Sequence, residues 1–297
     1  MITSMNFSTK ILWLLSFFNF GILLVYILGP SIGLSLTQMT LLKLFMMLFP
    51  ILILFLHAVV TIGARKGIGF ILWAFLVGFV GEVWGTRYGT IFGGRYIYPV
   101  TPFTTITLLG VPLMVVFYWG TLTYAGYATT NALLLWLNKS KILLQKNGAR
   151  FLPIIIVCDA LIVLSVDLFM DPVEVKEGMW TWLNKGAYFG VPIGNFIGWF
   201  FVALFASGTF RVFEHYFCQP SKKKIARAKP SFLDQTINLI PAFGYGSLLI
   251  YFVATALRAN LFAVAAIGSA FMLPVVLLNW GLFLRWARNY LTETGSS

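Results

Sequence analysis

The sequence predicts an all-α integral membrane protein of about eight transmembrane helices with both termini cytoplasmic, and three observations lead there. Of the 297 residues, 59% are apolar and only 10% are charged, with a mean hydropathy of +0.88. A soluble domain carries about 25% charged residues and cannot hide this much apolar surface. The charges are also spaced to leave uncharged stretches over 11–42, 44–64, 67–81, 96–138, 186–210, 235–257 and 259–284, and a helical span needs roughly 20 such residues. Finally, the excess of Lys and Arg gathers in alternate connections. The net charge of +12 therefore reads as helix-orienting charge, and no basic domain is left over to hold nucleic acid.

With Gly, Pro and charge clusters as punctuation, the helices are expected at 11–29, 39–62, 68–85, 113–136, 151–171, 193–213, 236–256 and 262–285. The first follows Lys10 and runs to Gly29-Pro30 without an A-x-A-like cleavage site, so it reads as a span rather than a signal peptide. The second stops before Arg65-Lys66. The third contains Glu82 among Gly78, Gly81 and Gly85, small residues that let helices approach closely. Pro99, Pro102, Gly110 and Pro112 break the next apolar run, so about fifteen residues before the fourth helix should form a loop at the interface or fold back into protein. The fifth helix should end at Pro172, the sixth opens after Pro192, and the last two flank Arg258. The chain is read as one polytopic membrane domain over 1–297.

Loop charge orients the spans. One face receives Lys10, Arg65, Lys66, Lys139, Lys141, Lys146, Arg150, Arg211, Lys222, Lys223, Lys224, Arg227, Lys229, Arg285 and Arg288, which is 15 of the 21 basic residues. The other receives Lys43, Arg87, Arg95, Lys176, Lys185 and Arg258. The richer face is expected to be cytoplasmic. Acidic residues divide in the opposite sense: Glu82, Asp167, Asp171, Glu174 and Glu177 sit at or beyond the non-cytoplasmic ends of helices three and five. Asp159 lies deeper in helix five, while Glu214, Asp234 and Glu293 fall on the basic face.

A short internal repeat points to the acidic end. Gly110-Val111-Pro112-Leu113 opens helix four and Gly190-Val191-Pro192-Ile193 opens helix six, each followed seven residues after the Pro by a Trp, Trp119 or Trp199. Pro suits a helix start, and a seven-residue step returns to nearly the same face. Helix pairs three-four and five-six are thus candidates for a pseudo-repeat.

The residues able to carry chemistry lie at that end. Asp167, Asp171 and Glu174 are spaced i, i+4, i+7 and would share one face of a continuing helix. Carboxylates inside a bilayer are expensive and normally face protein or water. They read either as solvated acids at a helix end or as a site whose like-charged members perturb one another. Glu82 either pairs with Arg87 or Arg95 or joins such a site. Two aromatic segments, Trp84 through Tyr98 and Trp180 through Phe189, are either an interfacial belt or the wall of a cavity, where aromatic faces stabilise a cation. Asn195 is a neutral donor and acceptor near the start of helix six, serving either the helix start or a bound hydroxyl or water. Cys158, Cys218, His57 and His215 lack metal-ligand spacing, and the Ser221-Lys-Lys-Lys run reads as a lipid-headgroup and orientation signal. There is no phosphate loop, dinucleotide fingerprint or HExxH, so no cofactor and no metal are expected.

The segments Glu82-Val-Trp-Gly85 through Phe92-Gly93-Gly94-Arg95-Tyr96-Ile-Tyr98, Asp167 to Asp171-Pro172-Val173, Trp180-Thr-Trp182, and Tyr188-Phe-Gly-Val-Pro-Ile-Gly-Asn195-Phe-Ile-Gly-Trp199 together resemble the membrane carotenoid hydratases. These include gamma-carotene 1',2'-hydratases and bisanhydrobacterioruberin hydratases, and the resemblance covers about residues 70–210. The first block departs from the family pattern at Tyr88, at Ile91 and by one extra residue before Tyr96.

The resemblance implies a hydro-lyase of carotenoid biosynthesis that adds water to the terminal C=C of an acyclic carotenoid end group, giving a tertiary alcohol. The substrate would be an acyclic or monocyclic carotene taken from the bilayer, and association with other membrane enzymes of the pathway is compatible with this role. Alkene protonation requires a carboxylic acid that holds its proton near neutral pH, and the resulting cation requires aromatic faces and an activated water. The implied catalytic candidates are Glu82, Asp167 and Asp171. The implied substrate-binding candidates are Arg95, Tyr96, Tyr98, Trp119, Trp180, Trp182, Tyr188, Asn195 and Trp199. The alternatives are a membrane prenyltransferase, which needs two Asp-rich clusters where this chain has one, and a small transporter, which needs a water path from both sides.

Overall fold

The computed structural model describes residues 5–140, 142, 148–218 and 231–295, with side chains through residue 292. It contains eight long helices: α1 (Phe7–Leu28), α2 (Leu36–Ile62), α3 (Ala64–Arg87), α4 (Leu113–Trp136), α5 (Leu152–Lys176), α6 (Ile193–Phe217), α7 (Ile240–Arg258) and α8 (Phe262–Gly295). Local chemistry sets several starts. Asn6 accepts from the Thr9 N–H at 2.8 Å to cap α1, and Ser35 and Gln38 form a reciprocal capping box at α2. Gly63, at φ 88°, makes the tight passage from α2 to α3.

Seven of the helices are long and apolar enough to cross a membrane, the signature of a multi-pass membrane protein. The exception is α4, whose Thr121, Thr123, Tyr124, Tyr127, Thr129 and Thr130 are buried within the bundle. Its hydroxyls lower its hydropathy without exposing it to lipid. Sequence neighbours pack as α1–α2, α3–α4, α5–α6 and α7–α8, while α3 against α6 and α5 against α8 join the pairs. The outward faces of α1, α2 and α8 carry exposed Phe17, Phe18, Leu52, Leu277 and Leu278. Exposed apolar helix faces of this kind suit a lipid surround.

Three expectations change. Helix five does not end at Pro172 but continues to Lys176. Pro172 has no N–H to give the Leu168 carbonyl one turn earlier, and the Tyr188 hydroxyl, 3.0 Å away, donates to that oxygen instead. Arg211 is not loop charge: it lies inside α6, 2% exposed, with its guanidinium on the Asp159 carboxylate and on Asn131 at 3.0 Å. Lys43 likewise is buried against Glu174 at 3.2 Å. The basic run at 222–229, with Lys141 and Lys146, lies outside the described residues.

The loops at one end of the bundle fold back on one another. Tyr96–Ile97 (β1) pairs antiparallel with Thr181–Trp182 (β4), joining the two aromatic segments. Thr107–Leu108 (β2) and Val111–Pro112 (β3) form a hairpin around Leu109-Gly110, with φ of 52° and 85°. Tyr188 bridges Val191 around Phe189-Gly190, with φ of 48° and 91°. The two Gly-Val-Pro segments thus use the same turn, positive φ at both central residues, before a helix capped by Pro112 or Pro192.

Candidate active site

The C-terminal ends of α3 and α5 and the N-terminal ends of α4 and α6 meet under these loops. Glycines on α3 permit the approach: a methyl group on Gly78 would lie 2.5 Å from Trp119 Cβ, and one on Gly85 would lie 2.6 Å from the Tyr96 hydroxyl. Between them Glu82, 2% exposed, projects inward. Its Oε2 accepts from the hydroxyls of Tyr96 and Tyr98, each at 2.7 Å, and its Oε1 accepts from Trp119 Nε1 at 2.8 Å. Neither Arg87 nor Arg95 is its partner. Burial, reinforced by the nearby Glu82 carboxyl, pushes both loop phenols well above their usual value, so they remain donors at any ordinary pH.

On the facing helix, Asp167 and Asp171 are 2% and 4% exposed. Asn195 Nδ2 donates to Asp171 Oδ2, tying α6 to α5. Neither oxygen of Asp167 has a partner among the described residues. Glu174 leaves this set despite its i+7 spacing. It accepts from Lys43 and from the Tyr251 hydroxyl, each at 3.2 Å, in a separate ionic cluster with α2 and α7.

The groups enclose a cavity of about 30 Å³ lined by Glu82, Tyr96, Tyr98, Val115, Trp119, Asp167, Met170, Asp171, Trp180, Trp182, Asn195 and Trp199. This is room for one or two waters. Trp119 stacks on Trp199, and the Tyr96 ring lies 4.7 Å from that of Trp182. Of the twelve residues singled out from the sequence, ten line the cavity. Arg95 is exposed and donates from Nε to the Thr86 carbonyl at 3.1 Å, and Tyr188 is spent on Leu168. Val115 and Met170 escaped sequence reasoning. Met170 sits three residues past Asp167, where helical spacing offers a signal, but Val115 has none.

The site combines three carboxyl groups, one pair within a turn of α5, with aromatic faces around a water-sized cavity. Such a constellation can pass a proton to a substrate carbon and hold positive charge against π faces. A family model described as "Carotenoid biosynthesis protein" matches residues 42–278, which include every residue of the cavity. No curated protein and no solved structure matches the chain.

Proposed function

The chain belongs to the carotenoid biosynthesis protein family, and on that premise we propose that it adds water across the terminal C=C of an acyclic carotenoid end group. The observation that carries this reading is the enclosure of Glu82, Asp167 and Asp171 with Trp180, Trp182 and Trp199 around one small cavity. A carboxylic acid of the Asp167/Asp171 pair protonates the less substituted alkene carbon. The tertiary cation that results is held against the indole faces until water attacks, and a carboxylate takes the proton that water releases. The sum is one water added, with no redox change.

Glu82 has a different part in this scheme. Its three donated hydrogen bonds fix it in place, and its charge stabilises the cation through the aromatic layer. The cavity is far below the several hundred Å³ of a typical ligand pocket, so the end group enters by displacing part of the wall, laterally from lipid. The loop end of the bundle is poor in Lys and Arg, which supports a non-cytoplasmic side for the site.

Expression in a carotene-producing bacterium, with pigments analysed by mass, tests the reaction. A product heavier by one water, lost in Asp171→Asn with protein level unchanged, supports it. No mass change across several acyclic carotenes sinks it. Orientation is tested in a chain with Cys158 and Cys218 replaced, by labelling a cysteine placed in the 139–150 loop. Extracellular reactivity there reverses the side assignment.

A further inference from the structure

Four buried polar atoms on residues that line the cavity have no hydrogen-bond partner among the described residues: both carboxyl oxygens of Asp167, Oδ1 of Asn195 and Nε1 of Trp182. Their residues are 2%, 1% and 7% exposed, so bulk solvent does not reach them. Isolated unmet polar atoms in protein interiors are rare, and here three residues that line one cavity contribute them together. The set is one N–H donor, one amide carbonyl and one carboxyl group. It complements a water molecule, which donates two hydrogens and accepts through two lone pairs, and the cavity has the volume for it.

We propose that Trp182 Nε1, Asn195 Oδ1 and the Asp167 carboxyl form the seat of the water that attacks the substrate. This rests on the hydratase reading and assigns within it which groups hold the nucleophile. The Asp171 carboxyl acts through Asn195: by accepting from Nδ2 it holds the amide in place while Oδ1 keeps no partner among the described residues, so Asp171 is a positioning residue. Water donates one hydrogen to Asn195 Oδ1 and directs the other at Asp167. Trp182 occupies one lone pair, which leaves the second for the substrate carbon.

The steps close on Asp167. Its proton goes to the CH carbon of the terminal C=C, whose π pair forms the new C–H bond. The tertiary cation accepts the free lone pair of the seated water as the C–O bond. The proton lost from that oxygen returns to the Asp167 carboxylate, which is regenerated. Nothing is oxidised or reduced, and no further proton carrier is required.

If the seat fails while the acid remains, the cation still forms but loses a proton back instead of gaining water. Membranes bearing the full-length protein, supplied with an acyclic carotene in D₂O, read both fates: hydrated product, and deuterium in the recovered carotene. In Trp182→Phe, which keeps the ring face and removes the donor, hydrated product is expected to fall at least tenfold while deuterium in recovered carotene rises. Asn195→Leu is expected to do the same where its extracted protein remains monodisperse, and Asp167→Asn to lose both signals. Wild-type partitioning in Trp182→Phe, or parallel loss of hydration and exchange, overturns the seat. A wild-type protein giving neither product nor exchange sinks the hydratase reading itself, which separates the two failures.

Discussion

Trp119 and Trp199 stack face to face, with ring centroids 3.9 Å apart and planes 18° from parallel, and the Trp119 N–H continues to Glu82 at 2.8 Å. One indole therefore couples the α4–α6 contact to the orientation of a carboxylate on α3. Trp119→Phe keeps an aromatic face and removes one of three donors to Glu82, an expected loss of about 1–3 kcal/mol. Trp199→Ala removes the stack and opens a void, for about 3–5 kcal/mol. Thermal unfolding in detergent ranks them, and the reverse order would contradict the assignment of the hydrogen bond as the smaller term.

Tyr188 and Pro172 form a compensating pair. Tyr188→Phe leaves the Leu168 carbonyl unmet and is expected to destabilise by about 1–3 kcal/mol. With Ala at 172 the backbone N–H returns, and the same Tyr188→Phe change is expected to cost much less. Equal effects in both backgrounds, by a double-mutant cycle of unfolding midpoints, would show that the hydroxyl serves something else.

Gly85→Ala is expected to reduce hydration at least tenfold, because its methyl would meet the Tyr96 hydroxyl at 2.6 Å and push it off Glu82. Gly21→Ala on α1 is the control. Nothing lies within 4 Å of a methyl there, so activity should not change. Product formation per extracted protein measures both, and full activity in Gly85→Ala would separate Tyr96 from function.

Arg211 and Asp159 are both buried and lie away from the cavity. Arg211→Met alone leaves a carboxylate without its counter-ion, and the expected loss is about 3–5 kcal/mol. Adding Asp159→Leu should recover most of it, since removing both charges also removes their desolvation cost. Hydration by the double variant should match wild type. If stability returns without activity, the ion pair has a role in the site.

The helices were legible because uncharged runs and Gly/Pro punctuation are local properties, and the range 113–136 read from the sequence is the extent of α4. The acidic end and its Trp pair were legible for a similar reason: i+4 and seven-residue spacings convert directly into helix faces. What escaped depends on groups far apart in the chain. Pro172 reads as a stop unless Tyr188 is known to take the freed carbonyl. Arg211 reads as loop charge unless Asp159 is seen opposite. Glu82 reads as open between an arginine partner and a site, and its partners are Tyr96 and Tyr98, brought in by the pairing of Tyr96 with Trp182 across 86 residues, and Trp119 on α4 packed against α3. Glu174 shares a face with Asp167 and Asp171 only by angle, and Lys43 on α2 takes it elsewhere.

In the hydration proposed, water activated within this cavity becomes the hydroxyl of the product. Purified protein incubated with an acyclic carotene in ¹⁸O-labelled water, without added cofactor, tests it most directly by product mass. One labelled oxygen in a tertiary alcohol is expected, and none with Asp167→Asn. A hydroxylated product carrying unlabelled oxygen, or unchanged carotene with folded wild-type protein, would contradict it.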